Sequence, residues 1–376
     1  MKILYLTPGC FDKGGISRYN RFQIQAFREI IGESSIKVYS LRHKKPGDFE
    51  EDIEVAWQAR TDSHLANKIE FALRAARDAI SWRPDVIWVA HVYMSGIALM
   101  LGKLVGAKVV LNAYGLEIWS GLSKFREMGL KGASEVVSDC HFTAGYLERN
   151  GFRPKGSVHV IWDTVDVSRF RPGQPDQAVA GKYGIPSPEA HVNLMTLGRI
   201  ARIADHKGYR RLLQAFALAA REVDALRLIY AGSGDMVETL RAQANEMGLS
   251  SRVHFTGSIN DADLPDVYRC AHLFALISDR GKGRGEGVPV TPLEAASCGI
   301  PILVGNQDGS PEAVEEGVDG YVLDSFDIEA HARAIVKLAG DAELREKMGK
   351  AASKKVRYGF SYPVFREKHE TLLSSL

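Results

Sequence analysis

The sequence predicts an α/β protein made of two doubly wound halves that face each other across a cleft. Three observations carry that prediction. At 376 residues the chain exceeds one ordinary domain of about 100–200 residues. Short β-rich runs alternate with helical patterns almost throughout, the arrangement that builds parallel sheets covered on both faces. Residues 171–188, RPGQPDQAVAGKYGIPSP, then break the alternation with four prolines and three glycines before it restarts.

The first half opens with KILYLT (2–7). Its apolar run, Ile3 to Leu6, falls short of the roughly 7–15 residues of a signal-peptide core and reads as a first strand. IKVYSL (36–41), DVIWVA (85–90), AKVVLNA (107–113), EVVSDC (135–140) and SVHVI (157–161) are further strands, rich in β-branched residues. Helices fit between them at 15–31, 64–82, 95–104 and 143–150. The uncharged stretch from Val86 to Gly102 approaches the length of a membrane span, about 17–25 residues. His91, Ser95 and Gly96 interrupt it, so it reads as strand, loop and buried helix.

After the break come strands VNLMTLG (192–198), LRLIYAG (226–232), VHFTG (253–257), LFALIS (273–278), IPILVG (300–305) and YVLD (321–324). Helices are expected at 207–222, 235–248, 261–269, 290–298, 311–316, 327–339 and 341–357, with an amphipathic segment, 361–374, beyond Tyr358-Gly359. In doubly wound sheets ligands bind beyond the carboxyl ends of the strands, which places the expected site in the cleft between the two halves.

Composition narrows the classes. With 45% hydrophobic and 25% charged residues the chain matches a soluble globular protein and excludes a disordered tail, a collagen repeat and a coiled coil. Lys plus Arg number 48 against 46 Asp plus Glu, a net +2 that lacks the basic stripe duplex nucleic acid wants. Cys10, Cys140, Cys270 and Cys298 form no CxxC pair, which fits neither a disulfide scaffold nor a zinc site and suits a reducing cytoplasm.

Three constellations carry chemistry. Gly14-Gly15-Ile16-Ser17-Arg18 follows the first strand and opens a helix, where backbone N–H groups can meet an anion. It matches neither GxGxxG nor a Walker sequence. Arg199, at the end of strand 192–198, and Lys207, before the next helix, are two cations suited to a diphosphate and to the negative charge that develops on it. Glu286 ends the glycine-rich loop RGKGRGE (280–286), and Glu294 lies eight positions later on the following helix. Carboxylates at such places suit sugar and ribose hydroxyls; the alternative is a charged loop residue plus a glutamate near a helix N-terminus. The three cations of that loop also fit a flap over an anionic ligand.

Glu286-x7-Glu294 followed by Ala-Ala-Ser-Cys-Gly-Ile-Pro resembles the EX7E signature of retaining nucleotide-sugar glycosyltransferases of family 4, which have the GT-B fold of two Rossmann-like domains. GGIxR (14–18), VIWDTVDVSRFRP (160–172), LGRI with HKG (197–208) and DGSPEAVEEGVDGYVLD (308–324) follow the same family order. The resemblance implies an acceptor-side domain over 1–165 plus 359–376, its C-terminal helix crossing back, and a donor-binding domain over 166–358. Arg199 and Lys207 would bind the donor diphosphate, with Gly14 and Gly15 near it. Glu286 would hold hydroxyls of the transferred sugar and Glu294 the nucleotide ribose. Gly287, Val288, Val290, Thr291, Gly309 and Ser310 would line the donor site.

The resemblance further implies transfer from a UDP- or GDP-linked sugar with retained configuration, no cofactor and no metal. The departing phosphate would help deprotonate the acceptor hydroxyl, so support of the leaving diphosphate outweighs a protein base. The DxD-like string Asp261-Ala262-Asp263 reads as helix capping. Three departures from the family pattern stand out: Tyr114 where relatives carry a histidine before glycine, Pro289 in place of glycine, and eight-residue spacing of Arg199 and Lys207, which leaves Arg202 as an alternative cation.

On the acceptor side, His91, Tyr114 and Glu117 are the candidates, with His91 either an acceptor ligand or base or a structural histidine. Residues 1–164 carry 22 Lys/Arg against 18 Asp/Glu, which leans toward an anionic lipid-linked or saccharide acceptor. Lys124, Arg126 and Lys131, interleaved with Leu122, Phe125, Met128 and Leu130, form a basic amphipathic stretch. It fits either peripheral contact with the inner membrane surface or an ordinary core helix. The sequence thus predicts a cytoplasmic glycosyltransferase of cell-surface glycan synthesis. The alternatives are a nucleotide-sugar epimerase, hydrolase or phosphorylase of the same architecture, and a non-catalytic nucleotide-sugar binding protein.

Overall fold

The computed structural model describes residues 1–12, 14–45, 53–60, 64–281 and 284–376. It divides into two compact units, Met1–Thr164 with Tyr362–Leu376, and Val165–Ser361. The described residues of the first unit form a seven-stranded parallel sheet from β1 (Ile3–Thr7), β2 (Ile36–Ser40), β3 (Trp57–Gln58), β4 (Val86–Val89), β5 (Lys108–Ala113), β6 (Glu135–Ser138) and β7 (Val158–Val160). Its strand order is β3-β2-β1-β4-β5-β6-β7, so the order reverses between β1 and β4.

Alternation along each strand gives this sheet two buried faces. Leu4, Leu6, Ile87, Val89, Val109 and Leu111 pack with Phe71, Ala75 and Ala79 of the helix His64–Trp82 and with Leu101 and Leu130. Ile3, Tyr5, Val86, Trp88 and Val110 pack on the other side with Tyr19, Ile24 and Phe27 of the helix Gly15–Ile31 and with Phe365, Leu372 and Leu373 of the C-terminal helix Tyr362–Ser375. That C-terminal helix therefore completes the core of the first unit. The helix expected to stop at residue 357 runs from Ala342 to Gly359, because Tyr358-Gly359 continues the turn rather than breaking it, and the return to the first unit falls at Tyr362.

The second unit carries β8 (Val192–Leu197), β9 (Leu226–Ala231), β10 (Val253–Phe255), β11 (Leu273–Leu276), β12 (Ile302–Gly305) and β13 (Gly320–Leu323), all parallel, in the order β10-β9-β8-β11-β12-β13. Leu194, Leu228, Tyr230, Ala275 and Leu303 bury against the helices Tyr209–Ala219 and Ile328–Gly340. The order reverses between β8 and β11, so the loops after these two strands meet at the switch point where such sheets bind ligands.

Several boundaries differ from the sequence expectation. The helix expected from 207 is split: a 3-10 segment, Arg202–Lys207, precedes Gly208, and the α-helix begins at Tyr209. The 311–316 segment is a 3-10 turn, Ser310–Ala313, with Pro311 in its first turn. Inside the proline-rich break a short helix, Gln177–Lys182, forms because Asp176 caps it, its Oδ1 accepting the Ala178 N–H at 2.7 Å. Among the described residues no helix is long and apolar enough to cross a membrane. All four cysteines are buried, and none is joined in a disulfide.

Candidate active site

The loop after β8 reaches the end of β11 through Gly208. Its φ is +76°, and a Cβ there would lie 1.9 Å from the Ile277 carbonyl oxygen, so a side chain is excluded on both grounds. The approach is tied by the Asp279 N–H, which donates to the His206 carbonyl at 2.8 Å. Arg211 adds a second tie, donating to the Asp279 carboxylate at 2.5 Å and to the Ile277 carbonyl at 2.8 Å.

Glu286 sits where these loops converge. Lys207 Nζ and His206 Nε2 each lie 2.9 Å from the same oxygen, Oε1. The Lys207 and Glu286 side chains are 17% and 19% exposed, so the pair is largely shielded from water. Burial alone would raise the Glu286 pKa, but the Lys207 charge and the His206 hydrogen bond overcome it and bring the group down to about 2. The carboxylate is therefore ionised at neutral pH.

The backbone of Glu286 is held as firmly. Its N–H donates to Asp308 Oδ2 at 2.9 Å, its carbonyl accepts from the Gly309 N–H at 3.0 Å, and the Ser310 N–H donates to Asp308 Oδ1 at 2.9 Å. Burial holds the Asp308 carboxyl pKa above its ordinary value, against the opposing pull of these N–H donors. Gly309 must be glycine for packing, since a Cβ would lie 2.5 Å from the Gly287 carbonyl. The Ser310 hydroxyl pairs with that of Ser278 at 2.9 Å, which joins the turn after β12 to the end of β11.

The structure thus brings Lys207, Glu286, Gly309 and Ser310 together. Arg199 is exposed beside them in sequence; its carbonyl accepts from the Tyr209 hydroxyl at 3.1 Å, and among the described residues its guanidinium has no ion-pair partner. Glu294 lies on the helix Val290–Ser297, buried, with Oε2 accepting from the Tyr268 hydroxyl at 2.8 Å. Val288 is buried, Gly287 and Val290 are half-buried, and the buried Thr291 Oγ1 has no hydrogen-bond partner among the described residues. Arg202 donates its backbone N–H to Asp235 at 2.8 Å and leaves its side chain exposed. In the cationic loop, Arg284 donates to the Ile203 carbonyl at 2.8 Å, while Lys282 and Gly283 lie outside the described residues. Asp261 pairs with Arg169 at 2.9 Å and Asp263 with Lys182 at 2.7 Å, so the DxD-like string is tied into the unit.

In the first unit Gly14 precedes the helix Gly15–Ile31, its N–H donating to Asp12 Oδ1 at 3.0 Å, and a Cβ on Gly15 would meet nothing within 4 Å. His91 is buried after β4. Its Nδ1 accepts the Tyr93 N–H at 3.2 Å and its ring stacks on Tyr93 with centroids 4.5 Å apart. Burial, reinforced by the charges of Arg126 and Arg42, pulls its pKa down to about 4. The imidazole is neutral at pH 7 with Nδ1 occupied, so Nε2 carries the hydrogen and His91 is a donor rather than a base.

Tyr114 and Glu117, expected on the acceptor side, are buried and bonded within the first unit. The Tyr114 hydroxyl donates to Asn20 Oδ1 at 2.9 Å and accepts from Asn112 Nδ2 at 2.9 Å. This belongs to a buried network in which Tyr5 and Asn112 bond Gln23 at 2.8 and 2.7 Å, and Gln23 reaches His369 of the C-terminal helix at 2.8 Å. Glu117 accepts the Tyr114 N–H at 2.8 Å, across the start of the short helix Leu116–Trp119.

His206 and Asp308 were not singled out from the sequence as site residues. Their signals were the histidine preceding Lys207 in HKG and the aspartate leading GSPE.

Residues 192–355 match the family model described as glycosyl transferases group 1. The chain is 29% identical over 71% of its length to a GDP-mannose-dependent alpha-(1-6)-phosphatidylinositol monomannoside mannosyltransferase of Mycobacterium tuberculosis, covering 70% of that protein. Its counterpart in Mycolicibacterium smegmatis is 28% identical over 90% of this chain and 89% of its own. Among solved structures, HepE of Anabaena in complex with UDP shares the fold over 100% of both chains, with a TM-score of 0.80 at 18% identity. Taken with the two parallel-sheet units, these likenesses give the chain the GT-B fold and make it similar to nucleotide-sugar glycosyltransferases.

Proposed function

We propose that this glycosyltransferase moves a sugar from a GDP- or UDP-linked donor to a lipid-linked or saccharide acceptor in cell-surface glycan synthesis, with retained anomeric configuration and without a bound metal. The observation that carries the reading is the Lys207–Glu286 pair at 2.9 Å. Lys207 Nζ has three N–H donors, so an ammonium held by Glu286 keeps others for a phosphate oxygen. Glu286, ionised and fixed, accepts a hydroxyl of the transferred sugar. Arg199 supplies the second cation on the diphosphate, and Glu294 is assigned to the ribose. Gly287, Val288, Val290, Thr291, Gly309 and Ser310 line the donor, and Gly14 and Gly15 offer backbone contact to its diphosphate.

In the reaction the bond from the anomeric carbon to the phosphate oxygen breaks and the bond to the acceptor oxygen forms on the same face. The acceptor proton passes to the departing phosphate, and the two cations stabilise the charge left there. His91, donating from Nε2, is the first-unit residue assigned to acceptor or sugar contact.

The mannosyltransferase names of the relatives favour GDP-mannose and a phosphatidylinositol-type lipid as the first pair to try. A lipid acceptor also fits the outer surface of the first unit. The helix His64–Trp82 exposes Leu65, Ile69, Leu73 and Ile80 along one face. Met100 and Leu104 of the helix Ser95–Val105 and Phe125 and Met128 of the helix Lys124–Gly132 are exposed on the same layer. These three helices carry seven Lys/Arg against three Asp/Glu. Apolar side chains with a net positive charge fit peripheral docking on an anionic lipid surface.

The test is a panel of UDP-, GDP- and ADP-sugars followed by thermal shift and by product analysis with and without a lipid acceptor. Stabilisation by one nucleotide class and an acceptor-dependent product support the reading. Free monosaccharide irrespective of acceptor indicates a hydrolase instead.

A further inference from the structure

We infer that His206 is a positioning residue which makes Glu286 a one-sided acceptor, so that the enzyme reads one hydroxyl of the donor sugar rather than a vicinal pair. The inference rests on the assignment of Glu286 to the transferred sugar and specifies how that contact is made.

Both partners of the carboxylate fall on one oxygen. Lys207 Nζ and His206 Nε2 are each 2.9 Å from Oε1, and among the described residues no hydrogen-bond partner sits on Oε2. A lone lysine is a poor orienting device, because its ammonium rotates on a flexible stem and either carboxylate oxygen satisfies it. His206 removes that freedom. Its backbone is anchored by the Asp279 N–H at 2.8 Å, and its side chain is 12% exposed, so the ring is fixed and its bond to Oε1 is directional.

The tautomer follows from the surroundings. Nε2 faces a carboxylate oxygen, so it bears the hydrogen; Nδ1 is buried with no hydrogen-bond partner among the described residues, and an unused acceptor there costs less than an unused N–H. Asp308 fixes the other end of the residue through the Glu286 N–H at 2.9 Å. With backbone and one oxygen both held, Oε2 presents a single accepting edge. A carboxylate free to turn would accept two neighbouring hydroxyls, one on each oxygen.

The experiment compares wild type with His206→Leu, which removes the donor, and His206→Gln, whose side-chain N–H can replace Nε2–H. For each, calorimetry gives the affinity for the nucleotide diphosphate and for the nucleotide sugar, and kinetics gives kcat with a series of singly deoxygenated donors. Wild type is expected to lose about tenfold or more with one deoxy donor and little with its neighbours. His206→Leu should lower kcat about tenfold or more and flatten that discrimination, with nucleotide diphosphate affinity within about twofold of wild type, and His206→Gln should restore both.

If Leu and Gln variants fall equally, or nucleotide diphosphate affinity falls with kcat, His206 is merely structural and the inference is overturned. If wild type loses equally with two adjacent deoxy donors, Glu286 is two-sided and the inference also fails, while the sugar assignment stands. If wild type binds the nucleotide sugar no better than the nucleotide diphosphate and discriminates among no deoxy donors, the assignment of Glu286 to the sugar fails and takes the inference with it.

Discussion

Asp308 and Glu286, from loops after different strands, are joined through the backbone. The Glu286 N–H donates to Asp308 Oδ2 at 2.9 Å while Asp308 Oδ1 takes the Ser310 N–H at 2.9 Å. One buried carboxylate therefore sets both the proposed sugar-binding glutamate and the turn opposite it. Asp308→Ala leaves two N–H groups unpaired and should cost about 2–5 kcal/mol of stability. Urea unfolding measures the loss, and turnover should fall with it. A variant of wild-type stability and activity removes Asp308 from this role.

Glu286 also predicts a pH dependence. Its folded pKa, about 2, lies below the ordinary carboxylate value near 4.3. A depressed carboxylate contributes stability above its unfolded pKa and loses it as pH falls through the folded one. The stability difference between wild type and Glu286→Gln should therefore be largest from about pH 5 to 7 and shrink progressively toward pH 2, the full contribution being of order 3 kcal/mol. Denaturation at pH 7, 5 and 3.5 checks the trend, and a difference that grows on acidification contradicts it.

Gly208→Ala should be severe. A Cβ 1.9 Å from the Ile277 carbonyl at φ +76° forces the 202–207 segment away from β11, at a cost of about 3 kcal/mol or more. The expected result is a lower melting temperature together with loss of stabilisation by nucleotide diphosphate. Retained nucleotide stabilisation would show that the close approach is dispensable.

The apolar helix face is open to a direct assay. Ile69 is 54% and Leu73 is 67% exposed, so Ile69→Glu with Leu73→Glu should leave the melting temperature within a few degrees of wild type. Co-sedimentation with vesicles containing phosphatidylserine should drop several-fold, while transfer to a short soluble acceptor persists. Equal sedimentation of variant and wild type rules this face out as the docking surface.

The two α/β runs, the interruption near residue 170 and most strands were legible, because period-two apolar alternation and short β-branched runs are local signals. Lys207 and Glu286 were legible as candidates from their places after β8 and β11, yet their contact was not. It depends on Gly208 admitting the Ile277 carbonyl, a long-range fact that no spacing encodes. His206 escaped notice because a histidine next to a lysine looks like one more polar loop residue until its ring meets Glu286. Tyr114 is the opposite case: it follows directly on β5, and Asn20 and Asn112 draw its hydroxyl into the core. The helix at 64–82 was expected, but its apolar outer face shows only once Phe71, Ala75 and Ala79 claim the inner one.

In the proposed reaction Lys207 and Glu286 divide the donor between them, the cation on the diphosphate and the carboxylate on the sugar. The most direct measurement is kcat for sugar transfer alongside nucleotide diphosphate affinity in Glu286→Gln. The expected result is a fall in kcat of about a hundredfold or more with affinity changed by no more than about threefold. Unchanged turnover, or a loss of nucleotide affinity equal to the loss of turnover, would contradict it.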